Sequence, residues 1–520
     1  MTIHKDITLF GEQISVEEKH NVDQNRDSIF PSPETRRSNY VDRISVLPVH
    51  ILQHILSFLS QKEAVQTCVL SKLWRHLGST RPNFEFLEGS FQENNDNKFL
   101  SVLDKTLQGY RDQDLCIQEF IVWMSWPDFE SVSVLKKWIP VVALNMRRLK
   151  IFNLCFLGET RDYFDIPSEI FEAKSLHELK LEGCKFNFIT NKVVLFKHLQ
   201  TLHLTRVYIE DETFEKIISS NPLIEYVTLN RCEGLKTFKV SKVAANLKDF
   251  DLTWDKYDHD IDQDRSIEID APTLETIRID GSESPNKWYH HQYRNYFPHL
   301  KSLYLRNVQL SPKSQIFSSS SCNNFPCLEE LELDFSRGME EEFQLSSRSI
   351  KRLSITVEGF EIKAAIDVPN IRYFYFRSDN FLPSISSFAT NNNSTWKSDL
   401  HLTFNINIDD TLSWFLKLHQ MLKALSQSEI SLYISPSERI IEDVVVRPLP
   451  ADTTYEAVAV EHLYCSRHGY EDSWSAYSTF VNNCYRICYP RHLGLYEYLE
   501  LERQKQSNTS SDNYGSAGWN

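Results

Sequence analysis

The stretch that decides the fold is LHELKLEGC at residues 176–184, which returns as LQTLHLTRV at residues 199–207. In both segments apolar residues occupy the first, fourth and sixth positions. Positions four and six lie on one side of an extended chain, so the pattern predicts a strand with one apolar face. One such strand cannot bury that face alone, and the pattern therefore requires neighbours that repeat it.

The same pattern recurs along most of the chain. Its first positions are Ile117, Leu149, Leu176, Leu199, Ile224, Leu247, Leu274, Leu300, Leu328, Ile350 and Ile371. From Leu149 onward the spacing is 21 to 28 residues, which is the period of leucine-rich repeats. We therefore predict an α/β fold, an irregular leucine-rich-repeat solenoid of parallel strands on a concave face with helices and loops on the convex face.

Residues between the strands complete this prediction. Apolar residues at helical spacing over residues 99–110 and 132–142 predict two helices that belong to the first repeats. At the ninth position of the units, Cys184, Val207 and Cys232 are expected to turn inward, so these cysteines are interpreted as core thiols.

Composition excludes several classes of protein. Lysine and arginine number 56 against 71 acidic residues, a net charge of −15, which argues against nucleic acid as a partner. No run of eighteen apolar residues predicts a membrane span, and the first thirty residues lack the apolar centre of a signal peptide. Ten cysteines are too few for a disulfide scaffold. We expect a soluble protein of the nucleus and/or cytoplasm.

An apolar excess precedes the repeats. Ten of the sixteen residues from 44 to 59 are apolar, more than a helix with one buried face uses. Pro48 suits the first turn of a helix, Ser71 suits the N-cap of a third helix, and Gly78 suits its C-terminal stop. Three helices in about forty residues cannot bury this surface among themselves. The excess therefore predicts a partner subunit.

The segment LPVHILQHILSFLSQKEAVQTCVLSKLWRHL, residues 47–77, resembles an F-box, the module that docks a substrate receptor onto the Skp-family adaptor of Skp–cullin–F-box ubiquitin ligases. The matching positions, which the resemblance assigns to adaptor binding, are Leu47, Pro48, Ile51, Leu52, Ile55, Leu56, Leu59, Val69, Leu70 and Trp74. Family members usually carry a basic residue before that tryptophan, whereas this chain has Leu73. The order of F-box, irregular repeats and C-terminal segment is similar to that of plant F-box/leucine-rich-repeat proteins.

The resemblance implies a non-catalytic receptor without cofactor or metal. Its partners would be the Skp-family adaptor, through it a cullin, and a target protein that is ubiquitinated and degraded by the proteasome. The expected domains are a disordered segment at 1–40, the F-box at 41–82, the repeats at 83–435, a segment that closes the solenoid at 436–505, and a disordered tail at 506–520.

The target surface is predicted on the outward positions of the later repeats. These alternate in charge and are rich in tyrosine and arginine, which are common at binding hot spots. The predicted residues are Tyr304, Glu330, Glu332, Arg352, Tyr373, Tyr375 and Arg377.

Two alternatives stay open at this point. The chain could be a leucine-rich-repeat interaction protein that acts without a ligase, its helical segment serving only as a cap of the solenoid. It could also be an enzyme that uses the residues Cys465, His468, Cys484, Cys488 and His492, whose types bind zinc. Because fifteen residues separate His468 from Cys484, we favour a packing role for the cysteines and expect no metal site.

Overall fold

The structure is a computed structural model. It describes residues 44, 46–59, 61–90, 96–125, 128–145, 148–158, 163–186, 196–240, 244–254, 266–281, 286–288, 297–310, 325–335, 342–359, 363–379, 382, 384–389, 395–404, 411–436, 448–450, 455–466 and 474–495. Contacts divide the chain into two compact units, Met1–Gly234 and Leu235–Asn520. The first is called unit 1 and the second unit 2.

Unit 1 begins with three short helices and continues with strands and longer helices. The helices are α1 (Val49–Ser57), α2 (Gln61–Thr67), α3 (Lys72–Ser79), α4 (Asp96–Asp112), α5 (Phe129–Asn145) and α6 (Asp211–Ser220), with 3-10 turns at Glu88–Ser90 and Ser168–Glu172. Six strands pair in parallel in the order β1 (Asn83–Leu87), β2 (Glu119–Ser125), β3 (Ile151–Leu157), β5 (Glu178–Glu182), β7 (Thr201–Thr205) and β8 (Tyr226–Asn230). The two-residue strands β4 (Phe164–Asp165) and β6 (Cys184–Lys185) form a separate parallel pair.

Unit 2 contains ten parallel strands that pair in chain order. They are β10 (Asp249–Thr253), β12 (Thr276–Asp280), β14 (Ser302–Arg306), β16 (Glu330–Phe335), β18 (Arg352–Glu358), β20 (Tyr373–Asp379), β22 (Lys397–Phe404), β23 (Glu429–Pro436), β24 (Val458–Cys465) and β25 (Cys488–Leu495). The helices are α7 (Thr411–Ala424) and α8 (Trp474–Ile487). Smaller parallel sheets are formed by β9 (Thr237–Val240), β11 (Ser266–Ile269), β13 (Asn286–Trp288) and β15 (Val308–Leu310), and by β17 (Glu342–Ser346), β19 (Lys363–Asp367) and β21 (Ser384–Ala389).

The predicted α/β repeat architecture is confirmed. Each of the eleven predicted units contains one of these parallel strands, and burial alternates along strands such as β5 and β7. In β5 and β7 the inward residues Leu179, Leu181, Leu202 and Leu204 are fully buried. They also face one another in the register, since Leu179 pairs with Leu202 and Leu181 with Leu204. Parallel pairing of equivalent positions thus turns the one–four–six pattern into continuous apolar rows.

The predicted helices of the first repeats are also confirmed as α4 and α5. Leu103 and Leu107 of α4 are fully buried. Phe99 of α4 packs edge-on against Phe86 of β1 at 6.1 Å between ring centroids. The apolar stripe of this helix therefore covers the inward side of the first strand.

Sharp turns follow several strands and place their residues in the left-handed region. Gly183 has a φ of 70°, which glycine adopts without penalty. Arg206 occupies the equivalent position with a φ of 49°, and its guanidinium donates to the carbonyl of Phe156 at 2.9 Å and to Glu182 Oε1 at 2.7 Å. These bonds tie three consecutive turns of unit 1 together and offset the backbone strain.

One expectation needs correction. Gly78 lies inside α3 and does not stop it; a Cβ at this position would approach Cys68 Sγ to 3.0 Å, so the glycine allows close packing of neighbouring segments. The segment 436–505, predicted to close the solenoid, contains β24 and β25, which continue the parallel sheet to Leu495. The predicted disordered ends, 1–40 and 506–520, lie outside the described residues.

Candidate functional site

The three N-terminal helices build their own small core. Leu52 and Leu56 of α1 pack with Ala64 of α2 and with Trp74 and Leu77 of α3. Leu52 and Leu56 lie four residues apart and therefore on one face of α1. All five residues of this core are buried, so the interior of the three-helix module is complete without a partner.

Local capping orients the tryptophan of this core. Ser71 precedes α3 in an extended conformation, and its side chain accepts a hydrogen bond from the backbone nitrogen of Trp74 at 3.3 Å. The predicted N-cap is therefore confirmed. Helix α1 begins at Val49, directly after Pro48, whose fixed φ suits the entry to a helix.

A second set of apolar side chains stays outside this core. Val69 is 78% exposed, Leu70 65% and Phe58 57%. The full set, which we call the helical apolar surface, is Ile44, Val46, Val49, Ile51, Phe58, Val69, Leu70 and Leu73. Eight large exposed apolar residues within thirty positions are unusual for a protein surface that meets only water.

The structure divides the ten residues predicted to bind an adaptor. Pro48, Ile51, Val69 and Leu70 are exposed, Leu47, Ile55 and Leu59 are half-buried against the small core, and Leu52, Leu56 and Trp74 are buried within it. The side chains of the last three are already covered by their own helices and support the exposed residues from beneath. Adaptor binding by the ten residues stays a prediction.

The predicted adaptor contacts include only part of the helical apolar surface. Val46, Val49, Phe58 and Leu73 belong to it but were not among the predicted contacts. Phe58 could have been found from helical spacing, since it caps α1 in a helical conformation and follows Ile51 by seven residues, which is two helical turns. Leu73, which stands where members of the resembling family usually carry a basic residue, is 36% exposed and adds apolar area to α3.

A buried arginine joins the helical module to the first repeat. Arg81 is 3% exposed, and its Nη2 donates to the carbonyl of Leu59 at 3.1 Å. Its own carbonyl accepts a hydrogen bond from the Tyr110 hydroxyl of α4 at 2.8 Å. Burial lowers the pKa of Arg81 and raises that of Tyr110 to about 12. This arrangement fixes the end of α1 against the repeats of unit 1.

The residues predicted to bind a target lie together on the outward side of unit 2. We call the outward residues of β10 to β24 the repeat face. The Tyr304 hydroxyl donates to Glu330 Oε2 at 2.8 Å, and the Arg352 guanidinium lies 3.8 Å from Glu330 and over the Tyr373 ring at 5.4 Å. Four of the seven predicted residues thus form one connected chain across four strands.

Glu332, Tyr375 and Arg377 flank that chain on the same face. Glu332 accepts from Arg306 Nη2 at 3.3 Å. Burial raises the pKa of Tyr375 to about 12, which keeps its hydroxyl neutral at physiological pH. Arg377 is half-buried and pairs with His401 in the register of β20 and β22. The structure therefore places all seven on one surface, while their binding role stays a prediction.

An aromatic row extends the repeat face beyond the predicted residues. The rings of Tyr375, His401, Tyr433 and Tyr464 follow one another with centroid distances of 5.1, 4.3 and 4.6 Å. We call these four residues the aromatic ladder. Gly494 pairs with Tyr464 in the register and lies against its ring, where a Cβ would clash. Three members of the ladder, His401, Tyr433 and Tyr464, lie on β22, β23 and β24, which are outside the eleven predicted repeats.

Cys465, Cys484 and Cys488 near the C-terminus are all buried. Burial raises the pKa of Cys484 well above its usual value and that of Cys488 to about 12, as expected of thiols packed in a core. His468 lies outside the described residues. Within the described ranges, no group of three histidine, cysteine or acidic side chains is arranged to hold a metal ion. The described helices also include none that is long and apolar enough to cross a membrane.

Comparison with known families agrees with this division into a helical module and repeats. A family model described as the F-box domain matches residues 44–86. A second, described as the At1g61320/AtMIF1 LRR domain, matches residues 122–390, more than half of the chain. The chain belongs to the F-box/leucine-rich-repeat family. In this F-box/leucine-rich-repeat protein the F-box match ends at Phe86 in β1, so Arg81 and Leu59 lie inside it and Tyr110 lies outside.

Individual relatives cover parts of this chain. F-box/LRR-repeat protein 25 of Arabidopsis thaliana is 30% identical over 258 residues, which are 49% of this chain and 91% of that protein. F-box/LRR-repeat protein 13 of the same plant is 28% identical over 249 residues, 46% of this chain and 52% of the relative. The FBD-associated F-box protein At4g10400 is 28% identical over 241 residues, 46% of this chain and 56% of the relative. The chain thus spans about half the length of the latter two proteins.

Proposed function

We propose that this protein is the substrate-recognition subunit of a Skp–cullin–F-box ubiquitin ligase. The helical apolar surface of the F-box docks the Skp-family adaptor and, through it, a cullin. The repeat face holds a target protein for ubiquitination and proteasomal degradation. The observation that carries this proposal is the exposure of eight large apolar residues on a module whose own core is already complete.

The exposed area is large enough for a stable complex. Full burial of a large apolar side chain contributes about 1.5–3 kcal/mol. Val69, Leu70 and Phe58 are each more than half exposed, so covering these three returns roughly 3–6 kcal/mol. The five further members raise the total to about 10 kcal/mol before the entropic cost of association is subtracted.

The proposed role involves no bond chemistry by this chain. A receptor of this kind accelerates ubiquitin transfer by holding the target near the conjugating enzyme, which raises the effective concentration of the target. A fixed geometry serves that purpose, and the buried Arg81 connection holds the F-box against the repeats of unit 1. We further propose action in the nucleus and/or cytoplasm, which microscopy of a fluorescent fusion tests directly.

The test is capture of adaptor and cullin from a plant lysate on the immobilised full-length chain. Wild type is expected to recover both, and Val69→Ser/Leu70→Ser to recover neither. Phe129→Ser is the matched control, because Phe129 is 90% exposed but lies on α5, outside the F-box match. Equal recovery by wild type and the double variant would favour the alternative of a repeat protein without a ligase, whose helical module is only a cap.

A further inference from the structure

The first strands of unit 2 place more negative than positive charge on the repeat face. Outward positions of β10, β12, β14 and β16 carry six carboxylates against two guanidiniums. The carboxylates are those of Asp249, Asp251, Asp280, Glu330, Glu332 and Asp334, and the guanidiniums those of Arg278 and Arg306. Positive side chains of a partner would therefore be attracted to this part of the face.

The arginines of the face are already shared among several carboxylates. Arg306 lies 3.6 Å from Asp280, 3.3 Å from Glu332 and 3.5 Å from Asp334. The single positive charge of Arg306 is thus shared by three carboxylates. Oδ1 of Asp334 is buried without a hydrogen-bond partner among the residues that the structure describes. Burial, countered only in part by Arg306, raises the pKa of Asp334 to about 6.

Asp251 of β10, the first of these four strands, also has too little positive charge nearby. The neighbouring Arg278 forms an ion pair with Asp249, at 3.2 Å, and not with Asp251. Burial, together with the charges of Asp249 and Asp280, raises the pKa of Asp251 to about 6. A half-buried carboxylate with too little positive charge nearby lowers the stability of the fold. Such groups are typical of binding surfaces, where a ligand supplies the missing charge.

The aromatic ladder continues the same face toward the C-terminus. Tyrosine and histidine rings offer apolar area together with hydrogen-bonding groups, and their stacking leaves little side-chain freedom to lose on binding. Arg352 of β18 lies 3.8 Å from Glu330 of β16 and over the Tyr373 ring of β20 at 5.4 Å, and β20 also carries Tyr375 of the ladder. Acidic and aromatic side chains thus form one strip on parallel strands.

We propose that this strip binds an extended segment of the target protein that carries lysine or arginine side chains, a specification that rests on the proposed receptor function. The carboxylates of β10 to β16 take the cationic side chains, and the aromatic ladder packs against the remainder of the segment. Nine strands from β10 to β24 at ~4.8 Å spacing span about 38 Å, the length of roughly twelve extended residues. The occupant is therefore a short linear segment with an excess of positive charge.

The experiment measures binding of a labelled twelve-residue peptide of alternating arginine and serine to the full-length chain by fluorescence polarisation. The matching glutamate–serine peptide serves as the opposite-charge probe. Asp251→Asn/Asp334→Asn keeps the shape of both side chains and removes their charge. Glu275→Gln/Glu329→Gln removes the same charge from residues outside the outward rows, each paired with a lysine at 2.6 Å.

We expect the arginine peptide to bind Asp251→Asn/Asp334→Asn at least tenfold more weakly than the wild-type chain. Its affinity for Glu275→Gln/Glu329→Gln should equal that for wild type. Tyr433→Leu, which interrupts the aromatic ladder, is expected to weaken binding several-fold. Equal affinity of wild type and Asp251→Asn/Asp334→Asn, equal loss in the glutamate control, or equal binding of the two peptides would overturn it. Adaptor capture, measured on the same variants, reports separately on the proposed receptor function, because the substitutions lie outside the F-box.

Discussion

Replacing Asp251 by asparagine is expected to stabilise unit 2 above pH 6. Burial raises the pKa of Asp251 to about 6, whereas an aspartate in an unfolded chain titrates near 3.9. Between about pH 4 and 6 the folded protein therefore binds more protons than the unfolded chain, and stability falls as the pH rises. One pKa unit corresponds to about 1.4 kcal/mol, so the ionised carboxylate costs up to roughly 3 kcal/mol at pH 7.5.

Urea unfolding followed by circular dichroism at pH 5.0 and 7.5 measures this effect. Asp251→Asn is expected to be more stable than wild type by about 1–3 kcal/mol at pH 7.5, with a smaller gain at pH 5.0. Glu275→Gln is the matched control in the same unit, because Glu275 pairs with Lys301 at 2.6 Å, which lowers its pKa; it should bring no gain. If Asp251→Asn shows the stability and pH dependence of wild type, the reasoning about uncompensated carboxylates is refuted.

Three further substitutions test the packing that positions the two surfaces. Leu52→Ala opens a cavity in the F-box core and should lower its free energy of unfolding by about 2–5 kcal/mol. Faster exchange of the backbone amide hydrogens of α1 to α3 would show this loss, and unchanged exchange would contradict it. Gly494→Ala should displace the Tyr464 ring, seen as a changed near-ultraviolet circular dichroism spectrum, whereas an unchanged spectrum would contradict the contact. Arg81→Met removes the hydrogen bond to Leu59 and should increase proteolytic cleavage between α3 and β1 without abolishing adaptor binding; unchanged cleavage would show that other contacts hold the F-box in place.

The repeat strands were predictable because each inward position is decided locally. A residue such as Leu202 is buried by its own alternation and by an equivalent neighbour, so a pattern of apolar positions is sufficient. The strands β22 and β23 were missed because the register places Thr395 and Gln427 at their first positions, and Ser398 at the fourth position of β22, where the pattern expects apolar residues. Strand β24 does carry the pattern at Val460, Leu463 and Cys465, but a long interval after β23 hid the period.

The candidate surfaces were predictable only in part. The excess of apolar residues at 44–59 predicted that the helical module needs a partner. The number of apolar residues does not determine which of their side chains fill the core. Trp74 and Phe58 are both large aromatic residues, and only the packing of α1 against α3 buries the first and exposes the second. The raised pKa values of Asp251 and Asp334 also depend on several strands at once. The charged neighbours of these carboxylates come from β10, β12 and β14, which the register brings together.

The central claim is that exposed apolar residues of the F-box, and not its core, bind a Skp-family adaptor. Isothermal titration of the purified adaptor into the full-length chain tests it most directly, with Val69→Ser/Leu70→Ser compared with wild type and with Phe129→Ser. The account predicts that the double variant keeps its fold, as judged by circular dichroism, and binds at least a hundredfold more weakly, since about 3 kcal/mol of apolar burial is lost. Wild-type affinity in the folded double variant would contradict it.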